Sequence, residues 1–306
     1  MRGRRRFRTT AAAVALLCAA TLAGGCAADP SPAPSTKQAA GQTAGRTAKP
    51  APTPTATPAP VWNASPGSVA AVGDSITRAF DACTVLADCP EVSWATGTDA
   101  TVNSLALRLL GPERVAARSW NLARSGARMA QLPEQMAAAA ARRPELVTVM
   151  MGANDACRAG VAEMTPVEEF RASFRAALAR LRAGAPKAQV YVASVPDLQR
   201  LWSTGRVSPA GLRVWRLGVC ASMLADAEDL GPAAEARRTK VRDRVVAYNR
   251  VLREECAKDT RCRDDGGAVF GFAFDGTQLS PWDWFHPSRD GQARLAEIAY
   301  RQITRG

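Results

Sequence analysis

His286 is the only histidine in the 306-residue chain, and Asp283 stands three positions before it. An imidazole exchanges protons near neutral pH, which is what a serine hydroxyl requires of a neighbour before attacking a carbonyl. A local turn would bring the Asp283 carboxylate to the far ring nitrogen, fixing the tautomer and stabilising the imidazolium formed during attack. The same pair also reads as a capping carboxylate and an ordinary surface histidine. Ser75 is the matching nucleophile, since it follows an apolar run and Gly73 permits a tight approach. Alone, Gly73-Asp74-Ser75 is equally compatible with a helix N-cap at Asp74 or Ser75. Acyl transfer also needs donors aimed at the developing oxyanion. Gly126 offers an unobstructed backbone N–H, and Asn154, flanked by Gly152 and Asp155, offers a side-chain amide. Each is also a common turn residue. The weight lies in their coincidence at the ends of successive apolar runs.

The elements that must position these groups follow from hydrophobic period and breakers. Strands are expected at Ser68–Val72, Ala117–Leu122, Glu145–Met151, Gln189–Val195 and Ala268–Phe272. Helices are expected at Ile76–Ala82, Ala100–Leu110, Met129–Arg142, Pro166–Leu181, Ala234–Cys256 and Arg289–Arg301. Their alternation predicts an α/β fold, a three-layer α/β/α sandwich with a central, mostly parallel five-stranded sheet. The chemically interesting residues then fall just past strand C-terminal ends, where open α/β sheets place ligands. Residues 198–233 show no strand pattern and are expected to insert a helix or loops beside the site. One domain is expected over residues 62–306.

Gly73-Asp74-Ser75, Asn121-Leu122-Ala123-Arg124-Ser125-Gly126, Gly152-Ala153-Asn154-Asp155 and Asp283-x-x-His286 resemble, in order, the four blocks of the SGNH/GDSL hydrolases. The resemblance implies a flavodoxin-like fold and a serine esterase or lipase that hydrolyses carboxylic acyl esters through an acyl-enzyme. It implies Ser75 as nucleophile and His286 as base, oriented by Asp283. It further implies an oxyanion hole made by the Ser75 and Gly126 N–H groups and the Asn154 side chain. No metal and no organic cofactor are implied, and a monomer is expected. Ala153 stands where the third block commonly has a second glycine, which keeps the residue small. Val92-Ser93-Trp94-Ala95-Thr96-Gly97, Leu132-Pro133-Glu134-Gln135 and Val195-Pro196-Asp197-Leu198 look like segments of the phospholipase B-like branch and its exported actinobacterial relatives. That narrower resemblance makes lipid esters candidate substrates. Trp94, Trp202, Trp282, Trp284 and Phe285 are candidate linings of an acyl pocket, or core. A carbohydrate O-deacetylase of the cell envelope is the alternative within hydrolases, with acyl transfer to an alcohol as a variant. A non-catalytic cell-surface binding protein on the same fold is the alternative outside them.

Arg2, Arg4, Arg5, Arg6 and Arg8 precede the apolar stretch Ala11–Leu22, which is too short to span a bilayer and reads as an export signal over residues 1–26. Leu22-Ala23-Gly24-Gly25-Cys26 resembles a lipoprotein processing site, with Cys26 the lipidation candidate and the membrane a partner through that anchor. Ala23 departs from the usual leucine, and cleavage near Ala28 would instead release a soluble secreted form. Residues 27–61, rich in Ala, Pro and Thr, cannot repay their ordering entropy and are expected to form a disordered linker. The formal charge of +12 falls to +7 without the five leader arginines, and to +5 once Lys37, Arg46, Lys49 and Asp29 are set aside. The remaining basic residues mix with acids, as in Ala234–Arg250, so nucleic acid is not an expected partner. Of eight cysteines, Cys18 lies in the leader and Cys26 at its end. The other six suggest three disulfides in an oxidising compartment. The short spacings suggest Cys83–Cys89 and Cys256–Cys262, leaving Cys157–Cys220. Zinc is the weaker reading, because close CxxC pairs are missing and one histidine is available.

Overall fold

Five short strands carry the architecture of the computed structural model, which describes residues 61–305. The export signal with Cys26 and the linker up to residue 60 lie outside the described residues. The strands are β1 (Val69–Gly73), β2 (Ser119–Asn121), β3 (Leu146–Met150), β4 (Gln189–Val192) and β5 (Cys262–Asp264). They form one wholly parallel sheet in the order β2-β1-β3-β4-β5. β1 and β3 are buried at every residue, which is why they read as continuous apolar runs rather than alternating ones. Their register pairs Gly73 with Met150, so the loops that follow the two strands emerge side by side.

The helices are α1 (Leu105–Leu110), α2 (Pro112–Arg118), α3 (Leu132–Ala141), α4 (Ala153–Ala156), α5 (Val167–Gly184), α6 (Leu198–Gly205), α7 (Pro209–Trp215), α8 (Ala221–Leu224), α9 (Pro232–Cys256), α10 (Ala268–Gly271) and α11 (Arg289–Thr304). α5 packs between α3 and α9, while α1 packs on α11. With right-handed crossovers and this strand order, the two groups cover opposite faces of the sheet. α5 shows why the sequence folds this way. Phe170, Phe174, Ala177, Leu178 and Leu181 recur at helical spacing and are buried, while Glu168, Glu169 and Arg182 complement the helix ends.

Three expected elements differ. Ile76–Ala82 forms successive turns instead of a helix, since Ala79 and Asp81 take φ values of 52° and 57°. A left-handed residue cannot continue a right-handed helix. Ala268–Phe272 is not the fifth strand: its apolar run makes the short helix α10, started by the Asp265 carboxylate accepting the Val269 N–H at 2.9 Å. The true β5 is the polar, half-buried segment Cys262–Asp264. As an edge strand it needed no apolar signature, and the Cys256–Cys262 disulfide ties it to the end of α9. The expected helix over Ala100–Leu110 begins only at Leu105, where the Ser104 hydroxyl caps it. The segment 198–233 contains α6, α7 and α8. Cys157–Cys220 joins the end of α4 to the start of α8, and Cys83–Cys89 closes the loop after β1.

Candidate active site

Gly73 ends β1 in a position that admits no side chain: a Cβ there would lie 2.3 Å from the Met150 carbonyl oxygen. The chain then turns, the Asp74 carboxylate accepts the Ile76 N–H at 3.0 Å, and Ser75 is left at the C-terminal end of the sheet. The segment that brings His286 to it is held from both sides. Leu279 and Pro287 form an antiparallel bridge, and the Ser280 N–H donates to the His286 carbonyl at 2.7 Å. Inside this loop the Asp283 Oδ1 accepts the N–H groups of Phe285 and His286, at 2.9 and 3.0 Å. Its Oδ2 lies 2.5 Å from His286 Nδ1. His286 Nε2 lies 2.8 Å from Ser75 Oγ. Phe80 and Phe285 each pack with ring centroids 5.1 Å from that of His286.

The site is nearly closed to solvent, with Ser75 8 % exposed. Burial drives the Asp283 carboxyl upward, but hydrogen bonding and charge from His286, with the two loop amides, outweigh it and hold the group below the usual aspartate range. Asp74, fully enclosed, behaves differently: burial pushes its carboxyl up to about 7.

Asn154 lies on α4, directly after the positive-φ residue Gly152, and its Nδ2 donates to the Ala127 carbonyl at 3.0 Å. This bond brings the Asn154 amide to the loop that contains Gly126 and leaves its second hydrogen available. Gly126 has φ 77° and open space where a Cβ would be. Among the described residues, the amides of Ser75 and Gly126 donate to no protein acceptor. Asp155, the other polar residue of this block, is turned inward: its Oδ2 accepts the Met129 N–H at 2.9 Å, and burial raises its carboxyl. It braces the loop instead of facing the hydroxyl.

Of the five aromatic candidates for an acyl pocket, Trp94 and Trp202 are buried in the core and Trp282 is exposed. Trp284 lies against Gly205, Gly211 and Gly276. Only Phe285 lines the narrow apolar groove beside the site, with Leu198, Leu201, Phe272, Phe274 and Leu279. Ile76, Ala153 and Pro287, each adjacent in sequence to a site residue, complete its inner end.

Three supporting residues stand outside the four blocks, Gln135 in the Leu132-Pro133-Glu134-Gln135 segment. Gln135 binds both backbone groups of Gly73. Gln292 on α11 accepts the Trp94 N–H and donates to the Ile76 carbonyl, both at 2.9 Å, anchoring the turn after Ser75. The Trp215 indole N–H donates to the Asp283 carbonyl at 2.9 Å, so the α6–α8 insertion buttresses the histidine loop. A glutamine or tryptophan remote in sequence gives no sign of this before the chain is folded.

Two groups of metal-ligand type are present among the described residues: Cys83, Cys89 and Glu91, and Asp81, Asp283 and His286. The first has its sulfurs joined as a disulfide, so it lacks thiolate donors. In the second, both ring nitrogens of His286 are already engaged.

Solved structures similar to this chain include that of TesA, at 19% identity and TM-score 0.45 over 77% of this chain and 97% of that one. An extracellular lipase from Streptomyces rimosus matches at 17% identity and TM-score 0.41, over 78% of this chain and 99% of that one. A family two carbohydrate esterase from Clostridium thermocellum, in complex with cellohexaose, matches at 14% identity and TM-score 0.42, over 77% and 63%. No curated protein matches the chain. The sequence profile of the GDSL-like lipase/acylhydrolases matches residues 69–299, from the first strand to the last helix, and this chain therefore belongs to that family.

Proposed function

We propose that Ser75 is the nucleophile of a serine ester hydrolase, with His286 as its base and Asp283 orienting the ring. Ser75 Oγ attacks the ester carbonyl while His286 Nε2 takes its proton. The oxyanion accepts hydrogen bonds from the Ser75 and Gly126 N–H groups and the Asn154 side chain. His286 returns the proton to the departing alcohol, and water, deprotonated by the same ring, then releases the acid from the acyl-serine. The observation that carries this reading is the unbroken hydrogen-bonded path from Ser75 Oγ, through both nitrogens of the single histidine, to Asp283 Oδ2. Ser75→Ala and His286→Ala should each lower p-nitrophenyl ester hydrolysis by at least about 10³-fold, with fold and disulfides retained. Wild-type activity in Ser75→Ala would reject the assignment.

The groove beside the site is lined mostly by apolar side chains, Asp197 and Arg200 apart, which supports an apolar acyl group; its free volume of about 20 Å³ means that it must open to take a long chain. Export is the reading supported by three disulfides, which persist in oxidising compartments. Among the described residues no helix is long and apolar enough to cross a membrane. Anchoring through a lipid on Cys26 is the proposed means of holding the enzyme at the membrane. Globomycin-sensitive processing, or a mass increase on the mature N-terminal cysteine, would test it.

A further inference from the structure

We propose that Asp81 stays protonated in the resting enzyme and donates that proton to Asp283, making it a positioning residue for the Asp283–His286 pair. The inference rests on the assignment of Ser75, His286 and Asp283 above. Asp81 and Asp283 are 2 % and 6 % exposed. One carboxyl oxygen of each and a ring nitrogen of His286 lie within 4.8 Å of one another. Two buried carboxyls held that close repel unless one carries a hydrogen, which it can then donate to the other.

The partners decide which one. Asp283 accepts from the imidazole and from two backbone amides, a set that suits an anion. Asp81 accepts one amide, from Leu86, and its carboxyl is pushed up by burial and by the charge of Asp283. Asp74 is the other buried carboxyl whose charge interacts with His286. Asp81 is also held in place. Its N–H donates to the Ala87 carbonyl at 3.0 Å, its carbonyl accepts the Ser280 hydroxyl at 2.8 Å, and Cys83–Cys89 closes the loop behind it. This pins the loop after β1 to the histidine loop. A neutral donor from Asp81 locks the Asp283 rotamer that meets Nδ1 and adds no second negative charge beside the ring.

The test compares Asp81→Asn, which keeps a neutral donor, with Asp81→Leu, which removes it. Asp81→Leu should lower kcat by about tenfold or more with KM changed less than threefold. Asp81→Asn should recover kcat to within about threefold of wild type. The acid limb of the kcat/KM–pH profile separates this role from a merely structural one. If Asp81 is neutral, Asp81→Asn leaves that limb in place. If Asp81 were an anion, its loss would destabilise the imidazolium and move the limb to lower pH by half a unit or more, overturning the proposal. That arm decides even if Asp81→Leu fails to fold. Wild-type kcat in a folded Asp81→Leu overturns it too, as does activity lost to EDTA and restored by Ca²⁺, which would put a cation in the proton's place. Ser75→Ala run alongside keeps the two claims apart, because activity there rejects the nucleophile and not Asp81.

Discussion

The side chain of Gln135 spans the residue that ends the first strand, accepting the Gly73 N–H on Oε1 at 2.8 Å and donating Nε2 to the Gly73 carbonyl at 2.9 Å. Gln135 is buried on α3, and the Met150 carbonyl lies too close to Gly73 to admit a Cβ. The start of the turn that carries Ser75 is therefore held by a side-chain amide and packed closely against a neighbouring strand. Gln135→Ala leaves the buried Gly73 N–H without its side-chain partner, at about 1–3 kcal/mol, while the Gly73 carbonyl keeps the Arg124 N–H at 3.2 Å. Urea unfolding should show a loss of about 1–3 kcal/mol, and an unchanged midpoint would contradict the clamp.

Asn154→Ala removes one proposed oxyanion donor and one loop contact, to the Ala127 carbonyl. Because the donor acts where charge develops, kcat for a p-nitrophenyl ester should fall by about 10²–10³ while KM changes little. A rise in KM with unchanged kcat would mean that Asn154 only binds substrate.

Asp74 gives the fold a pH dependence with a definite sign. Its folded-state value of about 7 exceeds the unfolded one of 3.8, so between them the folded state holds a proton that the unfolded state has lost. That stabilisation is complete below the unfolded value and disappears as pH rises through about 7. At about 1.4 kcal/mol for each unit, the full effect is of order 4 kcal/mol. Asp74→Asn keeps an acceptor for the Ile76 N–H and has nothing to ionise. Relative to it, the wild type should lose stability between pH 4.5 and pH 8, as read by urea unfolding at the two values. Parallel behaviour of the two proteins would contradict the buried protonated state.

The Cys157–Cys220 bridge closes a 63-residue separation, against six residues for each of the others. Loop-closure entropy makes it the most stabilising of the three, at about 4 kcal/mol against about 2. The Cys157→Ser/Cys220→Ser pair should lower stability by more than removal of either short staple. Equal losses would show that the long bridge closes a loop already ordered in the unfolded chain.

Opening of the groove around an acyl chain would give the enzyme a chain-length preference. Leu201→Trp, placed in its wall, should lower kcat/KM for p-nitrophenyl octanoate by about tenfold while acetate hydrolysis stays within threefold. Equal effects on both substrates would remove the groove from acyl binding, and preferential release of acetate from acetylated glycans by the wild type would favour the deacetylase reading.

The central strands were legible because β1 and β3 are buried on both faces and must be written in uninterrupted apolar residues. β5 was not, because a half-buried edge strand pinned by a disulfide can be polar, while the apolar run after it was free to become α10. The turn over Ile76–Ala82 departs from the expected helix for a related reason. Its local pattern permits a helix, and the left-handed backbone at Asp81 is held by Ala87, later in the same loop, and by Ser280 in the histidine loop.

The sequence by itself determined the chemical repertoire: a single imidazole, a carboxylate three residues before it, and a serine, a glycine and an asparagine each placed after an apolar run. Those facts depend on residue type and short-range spacing. The tertiary structure alone decided that Gln135 would grip Gly73, that Gln292 and Trp215 would brace the loops carrying Ser75 and His286, and that Asp81 would sit beside Asp283. Such contacts join residues tens to hundreds of positions apart. A pairing of that kind comes into existence only when the parallel sheet sets its strand ends side by side.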